Sequence, residues 1–308
     1  MSKVVLLFSG QGAQKVGMGQ DLVNAYPAAK ALFEKVDQIL GRSLTSVMFE
    51  GPAEELTRTG QCQPALFLHG LALLEILREK LPALEPVAAA GLSLGEMTAH
   101  CAAGTFDFEE GLKLVARRGE LMDEACEANP GSMAAMIGGS DEDVARLAAE
   151  CDVDIANLNC PGQTVLSGSE EGIDQAVAKA KEFGLRMGKK LQVAGAYHSR
   201  LMAGAQEKLG EALAATNFSN PQIPVISNYL AEAADGPDAI RASLKDQVTG
   251  SVRWIESIRL LREEGYDTFI ELGPGKVLAG FMARIDKEAR IISIEDAESL
   301  EAAVAELS

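Results

Sequence analysis

With 308 residues, 47% of them hydrophobic and 24% charged, the chain can bury a sizeable core and lies outside the composition range of disordered proteins. Its formal net charge is -17, from 28 lysines and arginines against 45 aspartates and glutamates. Nucleic-acid and anionic-membrane partners require a basic surface, so this balance argues against both.

The predicted elements alternate between strands and helices along most of the chain. Strands are predicted at 4–8, 87–90, 224–227, 268–271 and 290–294, and helices at 28–40, 64–77, 94–103 and 252–264, with Pro64 at the first helical position. Such alternation is typical of a mostly parallel sheet with helices on both faces.

The segment from 131 to 194 has a different order of elements. Strands are predicted at 132–137, 153–157, 164–167 and 186–193, and helices at 141–150 and 170–183. The order β-α-β-β-α-β fits a ferredoxin-like module. We therefore expect 131–194 to be a small subdomain, inserted into a catalytic core formed by 1–130 and 195–308.

A possible nucleophile lies in Gly91-Leu92-Ser93-Leu94-Gly95, which matches the G-x-S-x-G elbow between a predicted strand and a predicted helix. In such a turn the serine hydroxyl points outward at the N-terminus of a helix, where backbone N–H groups can stabilise an oxyanion. The five residues alone fit a packing turn without chemistry equally well. The choice between the two interpretations depends on finding a base.

The sequence contains three histidines. His69 lies in an apolar helical run and is typical of a core histidine, and His100 lies about 10 Å beyond Ser93 on the same helix, out of reach. His198 follows the inserted segment directly, in a predicted loop, and is the candidate base, although a surface histidine would fit there too. No acidic third member is assigned, because a backbone carbonyl or an amide can also orient a histidine.

Two further features indicate groups that could stabilise an oxyanion or bind a carboxylate. Gln11 lies in a glycine-flanked turn after the first strand, and its backbone N–H and that of Leu94 are the candidate oxyanion donors. A dinucleotide-binding loop is excluded there, because Lys15 replaces the third glycine of that fingerprint. Arg117 and Arg118 are adjacent on a predicted helix, so one can face inward as a carboxylate clamp, with a surface charge pair as the alternative.

The five cysteines are widely spaced, with no C-x-x-C pair and no histidine at metal-ligand spacing along the chain. They predict free thiols in a reducing compartment. The opening apolar run is too short for the core of a signal peptide, and no later run approaches the roughly 20 apolar residues of a membrane span. These features predict a cytoplasmic protein.

Eight motifs occur in an order and at spacings that resemble one family: 8–14, 63–66, 91–96, 118–122, 159–163, 197–198, 252–254 and 271–275. The chain resembles the malonyl-CoA:acyl carrier protein transacylases of fatty acid synthesis and the acyltransferase domains of polyketide synthases over essentially its whole length. The resemblance implies an α/β-hydrolase-like core with a mostly parallel sheet plus an inserted ferredoxin-like small subdomain.

The resemblance also implies roles for particular residues. Ser93 would form the acyl-enzyme, and His198 would deprotonate it and later the carrier thiol. Gln11 and Leu94 would supply the oxyanion N–H groups. The remaining implied roles are malonyl carboxylate binding for Arg118, lining of the substrate cleft for Gln63 and organisation of the His198 region for Gln247. One departure is Leu92, which stands where the family often has a histidine.

The predicted function is transfer of a malonyl group from malonyl-CoA to the phosphopantetheine thiol of acyl carrier protein, in fatty acid biosynthesis and without a metal or other cofactor. The alternatives are an acyl hydrolase, a polyketide-type acyltransferase and a non-catalytic module that binds a carrier protein. A basic cluster near the His198 loop is the candidate carrier-docking patch, with an ordinary solvated surface as the alternative; its members are Arg186, Lys189, Lys190 and Arg200.

Overall fold

A computed structural model describes residues 3–308 and contains eight strands, fourteen α-helices and one short 3₁₀ helix, Arg200–Met202, in that range. The strands are β1 Lys3–Phe8, β2 Glu85–Gly91, β3 Ser132–Ile137, β4 Asp154–Cys160, β5 Gln163–Gly168, β6 Met187–Lys190, β7 Thr268–Leu272 and β8 Arg290–Ile294. The helices are α1 Gln20–Ala25, α2 Pro27–Leu40, α3 Leu44–Glu50, α4 Ala53–Thr57, α5 Thr59–Lys80, α6 Leu94–Ala102, α7 Phe108–Ala128, α8 Asp141–Glu150, α9 Glu170–Lys179, α10 Ala203–Ala215, α11 Gly236–Asp246, α12 Trp254–Glu263, α13 Val277–Ile285 and α14 Ala297–Leu307.

Four strands form a parallel sheet in the order β2-β1-β7-β8. In β1, Leu6 and Phe8 belong to the larger apolar core, whereas Val5 and Leu7 belong to a second core on the opposite face. A strand that is buried on both faces reads as a continuous apolar run, which explains why β1 shows no polar alternation. The predicted α/β class with a parallel sheet is confirmed.

The other four strands form an antiparallel sheet in the order β4-β5-β3-β6. Helices α8 and α9 cover one face, where Met136, Leu147 and Ile173 share a separate apolar core. The opposite face is directed toward the rest of the chain, and Val252 joins the two parts by donating to the Ala156 carbonyl at 2.8 Å. One face of this sheet is therefore free to form the wall of a site.

Several predicted elements differ from the structure in their bounds, and two of the differences have an identifiable physical cause. The helix predicted to begin at Pro64 begins at Thr59, so Pro64 lies inside α5. Proline cannot donate to the carbonyl four residues earlier, which is that of Gly60, and Arg42 donates to this carbonyl instead at 2.6 Å. The segment 224–227 forms isolated bridges to Ala89 and Ala233 rather than a full strand.

In the described part of the chain, no helix is long and apolar enough to cross a membrane.

Candidate active site

Ser93 occupies the turn between β2 and α6, with φ 53° and ψ -102°. This conformation is uncommon for a residue with a side chain. The flanking glycines allow it, since a Cβ on Gly91 would lie 2.0 Å from the carbonyl carbon of Gly95, and a Cβ on Gly95 would lie 2.2 Å from the carbonyl oxygen of Phe8. The turn has the strand-to-helix geometry that the G-x-S-x-G pattern predicts.

His198 contacts the Ser93 hydroxyl directly. Its Nε2 lies 2.8 Å from Oγ of Ser93, and its Nδ1 lies 2.8 Å from the carbonyl oxygen of Gln247. A carbonyl can only accept, so Nδ1 carries the proton and Nε2 is left to accept from the hydroxyl. Burial, assisted by the charge of Arg118, lowers the pKa of His198 to about 4. At neutral pH the imidazole is therefore uncharged and able to take a proton.

The other two histidines are buried away from the nucleophile. His69 is fully buried, and His100 shares a hydrogen bond of 3.0 Å with Oγ1 of Thr105. Burial lowers the pKa of His69 to about 4 and that of His100 to about 3. Both are neutral core residues, as the sequence predicted for His69, and His100 is hydrogen-bonded to Thr105 rather than to Ser93.

Arg118 lies on α7 with its guanidinium beside the serine. Its Nη2 donates to Oγ of Ser93 at 3.1 Å and to Oε1 of Gln247 at 3.0 Å, and its Nη1 donates to Oε1 of Gln63 at 2.6 Å. Arg118 is only 1% exposed, whereas the side chain of Arg117 is 43% exposed and pairs with two glutamates of the same helix. The prediction that one arginine faces inward is confirmed.

The buried guanidinium retains capacity for a further acceptor. Burial lowers the pKa of Arg118 to about 10, against the opposing effect of the negative charge on Glu96, so the group stays protonated at neutral pH. Within residues 3–308 its Nε has no hydrogen-bond partner. A buried N–H without an acceptor is unfavourable, which suits this position to an anionic ligand.

Gln63 and Gln247 both support Arg118. Gln63 was expected to line the substrate cleft, but it is 1% exposed and its side chain holds Nη1 of Arg118. Gln247 was expected to organise the His198 region, and its backbone carbonyl contacts Nδ1 of His198 while its side chain contacts Arg118. The two glutamines thus hold the arginine from different elements.

Two residues of the site were missed by sequence reasoning. Asn228 accepts from the backbone N–H of Ser93 at 2.6 Å through Oδ1 and donates to the Gly91 carbonyl at 2.8 Å. Glu96 is fully buried and accepts from the backbone N–H of Asn228 and from Nε2 of Gln247. Glu96 belongs to a motif that was recognised, so its position on the first turn after the serine was an available signal.

A cavity of about 230 Å³ opens in front of Ser93 and His198. Its apolar lining comes from the antiparallel sheet, from the turn that carries Ser93 and from α7 and α13, and includes Leu92, Met122, Met133, Val165, Leu191 and Phe281. Gln11 lies on the same wall, and Leu94, as the first residue of α6, has no acceptor for its backbone N–H within that helix. Both predicted oxyanion donors therefore belong to segments at the cavity.

The predicted basic patch is not a set of four free charges. Lys190 pairs with Asp174 at 2.7 Å and Arg200 pairs with Asp154 at 3.0 Å, so half of the patch is already countered. Lys189 faces the other side of the sheet from Lys190, because successive residues of a strand point to opposite faces.

Among residues 3–308, no group of three or more His, Cys, Asp or Glu side chains is arranged to hold a metal ion.

The site combines a serine on a strand-to-helix turn, a neutral histidine and a buried arginine. A family model for the acyl transferase domain matches residues 5–301, nearly the whole chain. Fold, site and family match define the class of protein as an acyltransferase.

Known relatives identify the branch of that class. The malonyl CoA-acyl carrier protein transacylase of Bacillus subtilis is 42% identical over 309 residues, covering 99% of this chain and 97% of the relative. The crystal structure of acyl-carrier-protein-S-malonyltransferase from Bartonella henselae has a TM-score of 0.94 at 37% identity and covers 100% of this chain and 99% of that one. A malonyl-transacylase in complex with its type II PKS acyl carrier protein has a TM-score of 0.95 at 35% identity, covering 99% and 100%. The chain belongs to the malonyl-CoA:acyl carrier protein transacylase family.

Proposed function

We propose that this chain transfers a malonyl group from malonyl-CoA to the phosphopantetheine thiol of acyl carrier protein through an ester on Ser93. The observation that carries the proposal is that one atom, Oγ of Ser93, lies 2.8 Å from a neutral histidine nitrogen and 3.1 Å from a buried guanidinium. A malonyl group has its reacting carbonyl and its carboxylate only one carbon apart. A single bound group can therefore use both contacts.

In the first half-reaction, Nε2 of His198 takes the proton of the Ser93 hydroxyl as Oγ attacks the thioester carbonyl carbon. We assign stabilisation of the oxyanion on the carbonyl oxygen to the backbone N–H groups of Gln11, which lines the cavity, and of Leu94, which begins α6. When the C–S bond breaks, the CoA sulfur leaves with the proton from His198. The Gln247 carbonyl keeps Nδ1 protonated throughout and stabilises the transient imidazolium.

The second half-reaction reverses these roles on a new thiol. His198 takes the proton of the carrier pantetheine, and the thiolate attacks the malonyl ester carbonyl. Oγ of Ser93 leaves and recovers the proton from His198, so the enzyme is restored and no other reagent is consumed. The transfer as proposed uses only side-chain and backbone groups.

Selectivity for malonyl over acetyl is assigned to Arg118. A malonyl carboxylate would satisfy the guanidinium, whereas an acetyl group leaves the buried charge without that partner. Tyr197 lies on the cavity wall with its hydroxyl held by Thr59 at 2.6 Å, so its ring has little freedom to move. We assign to this ring the discrimination against an additional α-methyl group.

We also propose the finer fold description, with 1–130 and 195–308 as an α/β-hydrolase-like core and 131–194 as a ferredoxin-like small subdomain. Support comes from the antiparallel strand order β4-β5-β3-β6 inside the insertion and from the elbow after a parallel strand outside it.

A cytoplasmic location is supported by five cysteines that are all free thiols.

The test is intact mass spectrometry of the wild-type protein and the Ser93→Ala variant after brief incubation with malonyl-CoA, with acetyl-CoA and methylmalonyl-CoA in parallel. We expect a malonyl adduct on the wild type alone, and little adduct from the other two thioesters. CoA release without an adduct would indicate a hydrolase, and absence of both would indicate a binding module. Carrier proteins of fatty acid and polyketide type, offered to the malonyl-enzyme, distinguish the two pathways.

A further inference from the structure

Glu96 is a fully buried carboxylate that makes no direct contact with the groups of the proposed reaction. It lies on the first turn of α6, three residues after the nucleophile. Burial raises its pKa to about 7, against opposing contributions from Asn228, Gln247, Ser227 and the charge of Arg118. A buried acid is unfavourable unless its oxygens accept hydrogen bonds; within residues 3–308 Oε1 of Glu96 has no partner, whereas Oε2 accepts two, so the contacts of Oε2 indicate the role of the residue.

The first contact fixes the side chain of Gln247. Nε2 of Gln247 donates to Oε2 of Glu96 at 2.7 Å and to the Ser93 carbonyl at 3.1 Å, while Oε1 accepts from Nη2 of Arg118 at 3.0 Å. If the amide were turned over, its oxygen would face the carboxylate of Glu96 and its NH₂ would face the guanidinium. Both contacts would be repulsive, so Glu96 holds the NH₂ end of the amide and thereby directs its oxygen to Arg118, in the same sense as the Ser93 carbonyl does.

The second contact fixes the loop that supports the serine. The backbone N–H of Asn228 donates to the same Oε2 at 2.8 Å, and Oδ1 of Asn228 accepts from the backbone N–H of Ser93. Loss of this contact would act on the serine itself and would slow acylation by every thioester alike. This effect therefore cancels from the ratio of the acylation rates for two substrates. The effect of losing the contact with Gln247 does not cancel.

We propose that Glu96 is a positioning residue for malonyl selectivity: its Oε2 holds the Gln247 amide in the orientation that keeps the Arg118 guanidinium beside the acyl group on Ser93. The inference rests on the proposed function, since it assigns a supporting group to the same carboxylate-binding arginine. The role depends on a hydrogen-bond acceptor at this position. A glutamine in place of Glu96 can supply that acceptor with its carbonyl oxygen.

The experiment measures the rate constants for acylation of Ser93 by malonyl-CoA and by acetyl-CoA, using rapid quench and intact mass. Glu96→Leu removes the acceptor and fills the space, and we expect the malonyl-to-acetyl ratio to fall about tenfold or more. Glu96→Gln is the matched control and should keep the ratio within about threefold of wild type. Equal loss for both substrates in Glu96→Leu, or loss of the ratio in Glu96→Gln, would overturn the proposal.

A second variant covers the case in which Glu96→Leu does not fold. Gln247→Met keeps the backbone carbonyl that contacts His198 but removes the amide, so it should lower the ratio as Glu96→Leu does. An unchanged ratio in Gln247→Met contradicts the proposal. Where both single variants fold, combining them should lower the ratio no further, because both act through one contact. The wild-type protein distinguishes failure of the Glu96 proposal from failure of the proposed function. If the wild type forms no malonyl adduct, the proposed function is rejected, whatever the variants show.

Discussion

The two sides of Ser93 differ in polarity, hydrogen bonding and access to solvent. Behind the serine is a buried polar network in which Arg118, Gln247, Glu96 and Asn228 are each no more than 1% exposed and are joined in turn by hydrogen bonds of 2.7–3.0 Å. In front is a cavity with a largely apolar wall, to which the antiparallel sheet contributes. The network is hydrogen-bonded and contains ionisable groups, whereas the cavity wall is mostly apolar.

This difference separates two tasks of the proposed transfer. Buried polar groups have strict geometry because a misplaced donor or acceptor loses its partner without access to water, so the network can select between acyl groups. An apolar wall tolerates different occupants, which suits a site that must admit first CoA and then a carrier pantetheine arm. Changes behind the serine should therefore alter chemistry and selectivity, and changes in front should alter binding.

Removal of the base is the largest expected effect. His198→Ala leaves the Ser93 hydroxyl without a proton acceptor, and we expect the acylation rate with malonyl-CoA to fall by about 10³-fold. Rapid-quench mass spectrometry measures the rate, and thermal unfolding establishes that the variant is folded. A decrease of less than about tenfold would show that another group serves as the base.

Removal of the clamp should change selectivity more than reactivity. In Arg118→Ala the malonyl carboxylate loses its partner, and we expect acylation by malonyl-CoA to fall about a hundredfold while that by acetyl-CoA is retained or rises. Arg117→Ala is the matched control, because the Arg117 side chain is exposed and its ion pairs contribute little to stability. If Arg118→Ala preserves the malonyl preference, the clamp assignment is wrong.

The pH dependence follows from the burial of His198. Its pKa is lowered from 6.5 to about 4, so the base stays neutral well below pH 6 and the acylation rate should fall only as the pH approaches 4. The unfolded chain protonates this histidine below pH 6.5, so its contribution to stability is lost as the pH falls from about 6.5 to about 4. Rates measured from pH 4.5 to 8 on folded protein test this, and an acid limb centred near 6.5 contradicts it.

The sequence and its family resemblance pointed to the reactive pair and to Arg118 and Gln247, but not to Glu96 and Asn228, which complete the network. Ser93 was identified from a local turn pattern, and His198 was selected because the other two histidines were unsuitable on local grounds. Glu96 and Asn228 are 132 residues apart, and no periodicity or spacing relates their contact to the turn at Ser93. Local motifs are readable because their geometry is set by neighbouring residues, whereas a network assembled by tertiary packing is not.

The fold shows the same division between local and distant causes. The helix at 141–150 was predicted to the residue, because Ser140 and Asp143 form a capping box that fixes its start. The strand at 224–227 was wrong, because an apolar run does not reveal whether a neighbouring strand is available to pair along its length. The start of α5 was missed because the donor that makes Pro64 tolerable inside the helix comes from Arg42.

The smallest expected effect lies at the rim of the cavity. Lys189 pairs in register with Ala135 on the sheet face opposite α9, two residues before the wall residue Leu191, whereas Lys190 is directed at Asp174. We expect Lys189→Gln to raise the KM for an acidic carrier protein about two- to threefold and to leave that for malonyl-CoA unchanged, because an exposed charge steers association weakly. Lys190→Gln, whose charge is already countered, is the control and should change the carrier KM less. Steady-state kinetics at low and high salt measure both constants, and an equal change in the two KM values would show that Lys189 acts on the cavity rather than on the carrier.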